Sequence, residues 1–127
     1  MTNEELIQKA LEARKNAYVP YSRHPVGAAL LTKTGKVYPG CNVENAAFGP
    51  GICAERTAVI KAVSEGERDF LKIAVVGGPE NADHLSICPP CGVCRQVLNE
   101  FADPASFEVV LGTDDTENLK VLKLSEL

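Results

Sequence analysis

Val26-Gly27-Ala28-Ala29-Leu30-Leu31 is an unbroken run of small and apolar residues, with no polar side chain at alternate positions. A strand wet on one face would alternate; an unbroken run belongs to a strand buried on both. Such a strand needs helices above and below its sheet, which makes the fold class α/β. Beyond it, the turn Lys33-Thr34-Gly35 reverses the chain into a second strand, Lys36 to Cys41. Upstream, residues 2–18 read as a helix. Thr2 and Glu5 form a capping box, Leu6, Ile7, Ala10, Leu11, Ala13 and Ala17 make an apolar stripe, and Pro20 ends it by disfavouring helical geometry at Val19. Asn42 to Gly51 has no periodicity and ends in the breaker run Gly49-Pro50-Gly51. Cys53 to Glu65 is helical again, with Ala54, Ala58, Val59, Ala62 and Val63 as its buried face and Gly66 as its stop. Leu71 to Val76 reads as a buried strand, and Cys91 to Ala102 as a helix carrying Val93, Val97, Leu98 and Phe101, halted by Pro104. Two strands close the chain, Phe107 to Leu111 and Leu119 to Leu124. Their connection, Gly112 to Asn118, is too short for a crossover helix, so this pair is expected to be antiparallel. The expectation is one domain over residues 1–127, a single five-stranded mixed sheet with helices on both faces.

Composition narrows the partners. The 127 residues include 13 Lys plus Arg against 17 Asp plus Glu, a net charge of −4, and 45% hydrophobic residues. A chain of this length fits one domain of the usual ~100–150 residues. No apolar run approaches the ~18–20 residues of a membrane span. The scattered Lys and Arg lack the basic footprint that phosphate contacts demand of a polynucleotide binder. A neutral small molecule is the simpler partner. Met1 to Pro20 is acidic and amphipathic rather than basic and apolar, so a cytoplasmic location is expected. There, five cysteines stay reduced and, being odd in number, suit metal binding or catalysis better than a disulfide framework.

Two segments carry chemistry, Cys53-Ala54-Glu55-Arg56 and Pro90-Cys91-Gly92-Val93-Cys94, each at an expected helix start. Cys91 and Cys94, three apart in a first helical turn, point to one side. Helix N-termini favour the thiolate through their free N–H groups and dipole. Cys53 would complete a three-sulfur set, for which zinc is the expected metal, one ion per chain. Three protein ligands leave a tetrahedral position for water, whose pKa zinc lowers to about 7. Glu55 stands two residues from Cys53, near enough to shuttle a proton without ligating. Arg56 offsets the charge of the thiolates. Spacing alone also admits a structural four-sulfur site that includes Cys88, and a redox Cys-x-x-Cys pair. The stiff Cys88-Pro89-Pro90-Cys91 link argues against the first. The absence of any need for Cys53 or Glu55 argues against the second.

The runs Cys-Ala-Glu-Arg-Thr at 53–57 and Pro-Cys-Gly-Val-Cys-Arg-Gln at 90–96 closely resemble the small homotetrameric cytidine deaminases. So do Tyr18-Val19-Pro20-Tyr21-Ser22, Val26 to Leu30, and Gly40 to Ala46, in the same order and spacing. The resemblance implies zinc on Cys53, Cys91 and Cys94, with Glu55 as the general acid/base of a hydrolytic deamination. It further implies that Asn42, Val43 and Glu44 bind substrate, Asn42 and Glu44 holding the ribose hydroxyls. Ala54 would contact the base through its backbone, and Arg56 would hydrogen-bond the thiolates. The implied reaction converts cytidine or 2′-deoxycytidine to the uridine product and ammonia, in a homotetramer. Two alternatives stay open, a deaminase of another aminopyrimidine nucleoside such as blasticidin S, and a non-catalytic zinc-binding relative.

Three departures from the family pattern bear on substrate rather than on zinc. His24 replaces the usual Phe against the base, which keeps a ring but adds a titratable edge; a half-exposed surface histidine is the plainer reading. The sequence ends at Ser125-Glu126-Leu127, short of the Leu-Pro segment and terminal aromatic of relatives. Phe48 stands where Tyr is common, in an unusual Gly49-Pro50-Gly51 setting.

Overall fold

The structure, a computed structural model, describes residues 1–127. Its elements are α1 (Asn3–Arg14), β1 (Val26–Thr32), β2 (Val37–Cys41), α2 (Ala54–Ser64), β3 (Phe70–Gly77), α3 (Gly92–Phe101), β4 (Glu108–Leu111) and β5 (Lys120–Lys123), with a short 3-10 turn at Leu124–Glu126. The five strands form one mixed sheet in the order β2-β1-β3-β4-β5. β1 runs antiparallel to both β2 and β3, and β4 runs antiparallel to β5. Only β3 and β4 are parallel, with α3 as their crossover.

The apolar run of β1 does what an unbroken pattern requires. Ala28 and Leu30, with Ile73, Val75, Val109 and Leu111, face α2 and α3 through Ala54, Ala58, Val59, Ala62 and Leu98. Ala29 and Leu31, with Ala74, Val76 and Val110, face α1 through Leu6, Ile7 and Ala10. The sheet therefore has a core on each side.

Close approach on both faces depends on glycine. A Cβ on Gly27 would run into the Ala10 carbonyl and stand 2.6 Å from the Arg14 amide. On the opposite face, a Cβ on Gly40 would stand 2.5 Å from the Ala54 carbonyl. Both obstacles are helix backbone, which cannot rotate aside. Gly27→Ala is therefore expected to cost at least ~3 kcal/mol, the upper end of ordinary overpacking. The check is the melting temperature by circular dichroism, and an unchanged value would contradict the packing described.

Helix α1 is shorter than its apolar stripe suggests. The capping box of Thr2 and Glu5 is present, but the helix stops at Arg14 rather than at Pro20. The competing force is non-local. The Tyr18 amide donates to the Asn42 carbonyl at 3.1 Å, and the Glu44 amide donates to the Tyr18 carbonyl at 2.8 Å. These bonds pull Tyr18 out of the helix and into a parallel bridge with Val43. Val43 also bridges Ile52 in the antiparallel sense, so the aperiodic 42–51 stretch is a folded rim. Helix α2 ends at Ser64, and Gly66 takes φ +97°, a left-handed geometry that glycine adopts without strain.

Candidate metal centre and substrate cleft

The N-termini of α2 and α3 converge on one point. Cys53 is the N-cap of α2, and its side chain caps nothing, leaving the sulfur free. Cys91 is the N-cap of α3, and Cys94 sits in the first turn of that helix. Cys53 Sγ lies 3.8 Å from Cys91 Sγ, and Cys91 Sγ 3.3 Å from Cys94 Sγ. The three ligand atoms lie within 4.8 Å of one another. Cys88 is outside this group; it packs against Gly77, where a Cβ would stand 3.2 Å from its sulfur.

Electrostatics fit a cation at this point. The Cys53 thiol is lowered to about 5, first by the hydrogen bond from Cys94 and then by the one from Arg56. Cys94 moves the opposite way, because its thiol keeps its proton to donate a hydrogen bond to Cys53 and because it is buried. Three sulfurs this close cannot all ionise without a positive charge among them. Arg56 Nη2 donates to Cys53 Sγ at 3.5 Å, and the thiolate raises the guanidinium above its usual range. A soft, three-thiolate donor set with one helper cation suits zinc.

Glu55 is 4% exposed and follows Cys53 by two residues in the first turn of α2. Burial raises its carboxyl above the usual range. It borders a small cavity of about 140 Å³ shared with Val26, Asn42, Cys53, Ala54, Cys88, Pro89 and Cys91. Asn42 and Cys53 also line a larger open cleft of about 500 Å³, walled by Val43, Glu44, Arg56 and the Phe48 loop. The small cavity and the cleft thus share Asn42 and Cys53 as common wall residues.

The remaining expected site residues fall as follows. Asn42 Oδ1 accepts from the Val26 amide at 2.8 Å, and its Nδ2 donates to the His24 carbonyl at 3.0 Å. An amide has four hydrogen-bonding positions, so one N–H and one lone pair stay free for a ligand. Glu44 Oε1 accepts from the amides of Tyr21 and Ser22, each at 3.1 Å, and Oε2 accepts from the Ser22 hydroxyl. These bonds hold the Glu44 carboxyl below its ordinary range, the Ser22 hydroxyl contributing most. Val43 lines the cleft, and Ala54, fully buried, lines the small cavity. The half-buried His24 ring lines neither cavity, although its backbone carbonyl accepts from Asn42. Spacing along the chain did not point to Ser22 as the clamp on Glu44. The Tyr18-Val19-Pro20-Tyr21-Ser22 motif was the available signal.

Known proteins place this geometry. A cytidine deaminase of Halalkalibacterium halodurans is 51% identical over 126 residues, spanning 98% of this chain and 91% of the relative. A blasticidin-S deaminase of Bacillus cereus is 34% identical over 101 residues, 77% of this chain and 71% of its own. The crystal structure of cytidine deaminase from Burkholderia pseudomallei superposes with a TM-score of 0.86 at 46% identity, covering 99% of this chain and 95% of that one. The family described as the cytidine and deoxycytidylate deaminase zinc-binding region matches residues 1–111, a span that contains all three clustered cysteines and Glu55. With a matched region this long around a three-sulfur centre, the chain belongs to the cytidine and deoxycytidylate deaminase zinc-binding family.

Proposed function

We propose that this protein is a zinc-dependent enzyme that hydrolyses cytidine to uridine and ammonia, and 2′-deoxycytidine to 2′-deoxyuridine, with Cys53, Cys91 and Cys94 holding one zinc per chain. The observation that carries the reading is the buried Glu55 carboxyl bordering the same cavity as Cys53 and Cys91, beside a cluster of three sulfurs that Cys88, which also lines the cavity, does not join. A fourth sulfur would close the centre and leave a buried carboxyl with no task to offset its desolvation.

Cys53, Cys91 and Cys94 would hold the zinc, which would make a water acidic enough to act as a nucleophile near neutral pH. Glu55 would take one proton from the attacking water and deliver it to N3 as the C4–O bond forms, then pass the remaining hydroxyl proton to the amine as the C4–N bond breaks and the C4 carbonyl forms. Water enters and ammonia leaves, so the balance closes without a redox partner. The raised carboxyl of Glu55 suits a group that must both accept and donate. The free amide at the start of α2, on buried Ala54, is available to the base. The spare N–H of Asn42 and the remaining lone pairs of Glu44 hold the sugar hydroxyls, and Val43 shapes the rim between them. Arg56 steadies the thiolates, and His24 holds the Asn42 amide through its backbone carbonyl.

The enzyme works in the cytoplasm as a homotetramer in this reading. Supporting the assembly, the cleft carries fully exposed Phe48 and an exposed Tyr21, aromatic surface that a neighbouring subunit would cover. No helix is long and apolar enough to cross a membrane, and a polynucleotide substrate is disfavoured by the acidic charge balance.

The test is ammonia release from cytidine, 2′-deoxycytidine and blasticidin S under identical conditions. Cytidine is expected to have the highest kcat/KM. The 34% identity to the blasticidin-S deaminase of Bacillus cereus supports blasticidin S as the second reading, and turnover of that nucleoside alone would establish it. No release from any of the three would leave a non-catalytic zinc protein.

A further inference from the structure

Arg14 is the last residue of α1 and lines neither cavity, yet its guanidinium makes three hydrogen bonds to backbone carbonyls. Nε donates to the Pro25 carbonyl at 3.0 Å; Nη2 donates to the Gly78 carbonyl at 2.9 Å and the Pro79 carbonyl at 3.2 Å. These carbonyls lie just before β1 and just after β3. Gly27 makes the reach possible, since a Cβ there would stand 2.9 Å from Arg14 Cβ and push the helix end away.

The segment that Arg14 holds is the one that holds Asn42. Pro25 sits between His24, whose carbonyl accepts from Asn42 Nδ2, and Val26, whose amide donates to Asn42 Oδ1. Asn42 therefore grips residues 24–26 from the cavity side while Arg14 grips the Pro25 carbonyl between them. Segment 77–80 braces the same stretch, with the Gly78 amide donating to Pro25 and the Glu80 amide to Arg23. Arg14 joins both segments at once from two nitrogens of one rigid planar fork, whereas an ammonium would have to serve both from a single nitrogen.

We propose that Arg14 is a positioning residue for substrate binding, fixing the 24–26 segment and through it the direction of the free Asn42 amide. This rests on the reading of Asn42 as a sugar ligand. A merely structural role would lower stability and leave substrate affinity alone. A positioning role moves KM more than kcat and acts only through Asn42.

The experiment is a double-mutant cycle on the zinc-loaded enzyme, with Arg14→Met, Asn42→Ala and the pair, followed by ammonia release from cytidine. Arg14→Met is expected to raise KM roughly tenfold with kcat within about twofold, and to add almost nothing when Asn42 is already Ala. Arg14→Lys, which keeps the charge and stem and so guards against misfolding, is expected to give a smaller rise in KM. Zinc content and melting temperature of the lysine variant should match the parent. Three results overturn the proposal. Arg14→Met or Arg14→Lys could leave KM unchanged. Arg14→Met could multiply KM equally in the Asn42→Ala background, which removes the proposal while Asn42 keeps its sugar role. Asn42→Ala could itself leave KM unchanged, which removes the sugar reading and the proposal together.

Discussion

Glu55→Gln is expected to retain one zinc per chain while turnover of cytidine falls by at least ~10²–10⁴-fold, the usual worth of a positioned acid/base. Glutamine matches glutamate in volume, so the packing of the first turn of α2 against the small cavity is preserved. What disappears is the one buried group able to carry a proton between water, N3 and the departing amine. The sulfurs are untouched, and an uncharged amide 4% exposed replaces a carboxyl whose burial already works against its charge. Melting temperature should therefore stay level or rise. Ammonia release read alongside metal content on the same preparation separates the possibilities. Activity above a tenth of the parent with zinc in place would remove Glu55 from the proton transfers. Loss of zinc together with activity would make Glu55 a support of the metal centre instead.

What the amino-acid sequence made legible, and what it hid, divides along the range of the interactions involved. The sheet was legible because the unbroken run of β1 states two-sided burial locally, and because the eight residues between β4 and β5 cannot hold a crossover helix. The end of α1 was hidden because it is decided by Tyr18 pairing with Asn42 and Glu44, more than twenty residues away. The metal centre was legible because helix starts and a three-residue spacing aim sulfurs in one direction. Its union with Cys53 required the two helix N-termini to meet in space; the matching helix starts suggested that union beside a four-sulfur alternative with Cys88, and the family resemblance strengthened the choice. The Arg14 clasp has no sequence signature. Its Gly78 partner lies 64 residues away and contributes a backbone carbonyl, which every residue possesses. Glu44 is a mixed case. The resemblance singled out the residue, but only the structure shows its carboxylate spent on Tyr21 and Ser22 before any sugar arrives.

Cys94→Ala and Cys88→Ala are expected to part company completely. Cys94 has no exposed surface and contributes the one fully buried sulfur of the three. Alanine there leaves Cys53 and Cys91 as a two-sulfur site beside Arg56, a positive charge now repelling the metal with less thiolate to offset it. Zinc affinity should fall by more than the ~10–100-fold that follows loss of a mere outer hydrogen-bond partner. Activity should go with it, and stability should drop as well, because metal bound only by the folded state stabilises that state. Cys88 is as close along the chain to Cys91 as Cys94 is, yet its sulfur packs toward Gly77 and is no member of the cluster. Cys88→Ala should therefore keep a full equivalent of zinc. X-ray absorption on the parent should report three sulfurs and one lighter ligand, unchanged by that substitution. A four-sulfur signature that becomes three in Cys88→Ala would mean the centre is closed, and a closed centre leaves no place for the water on which hydrolysis depends.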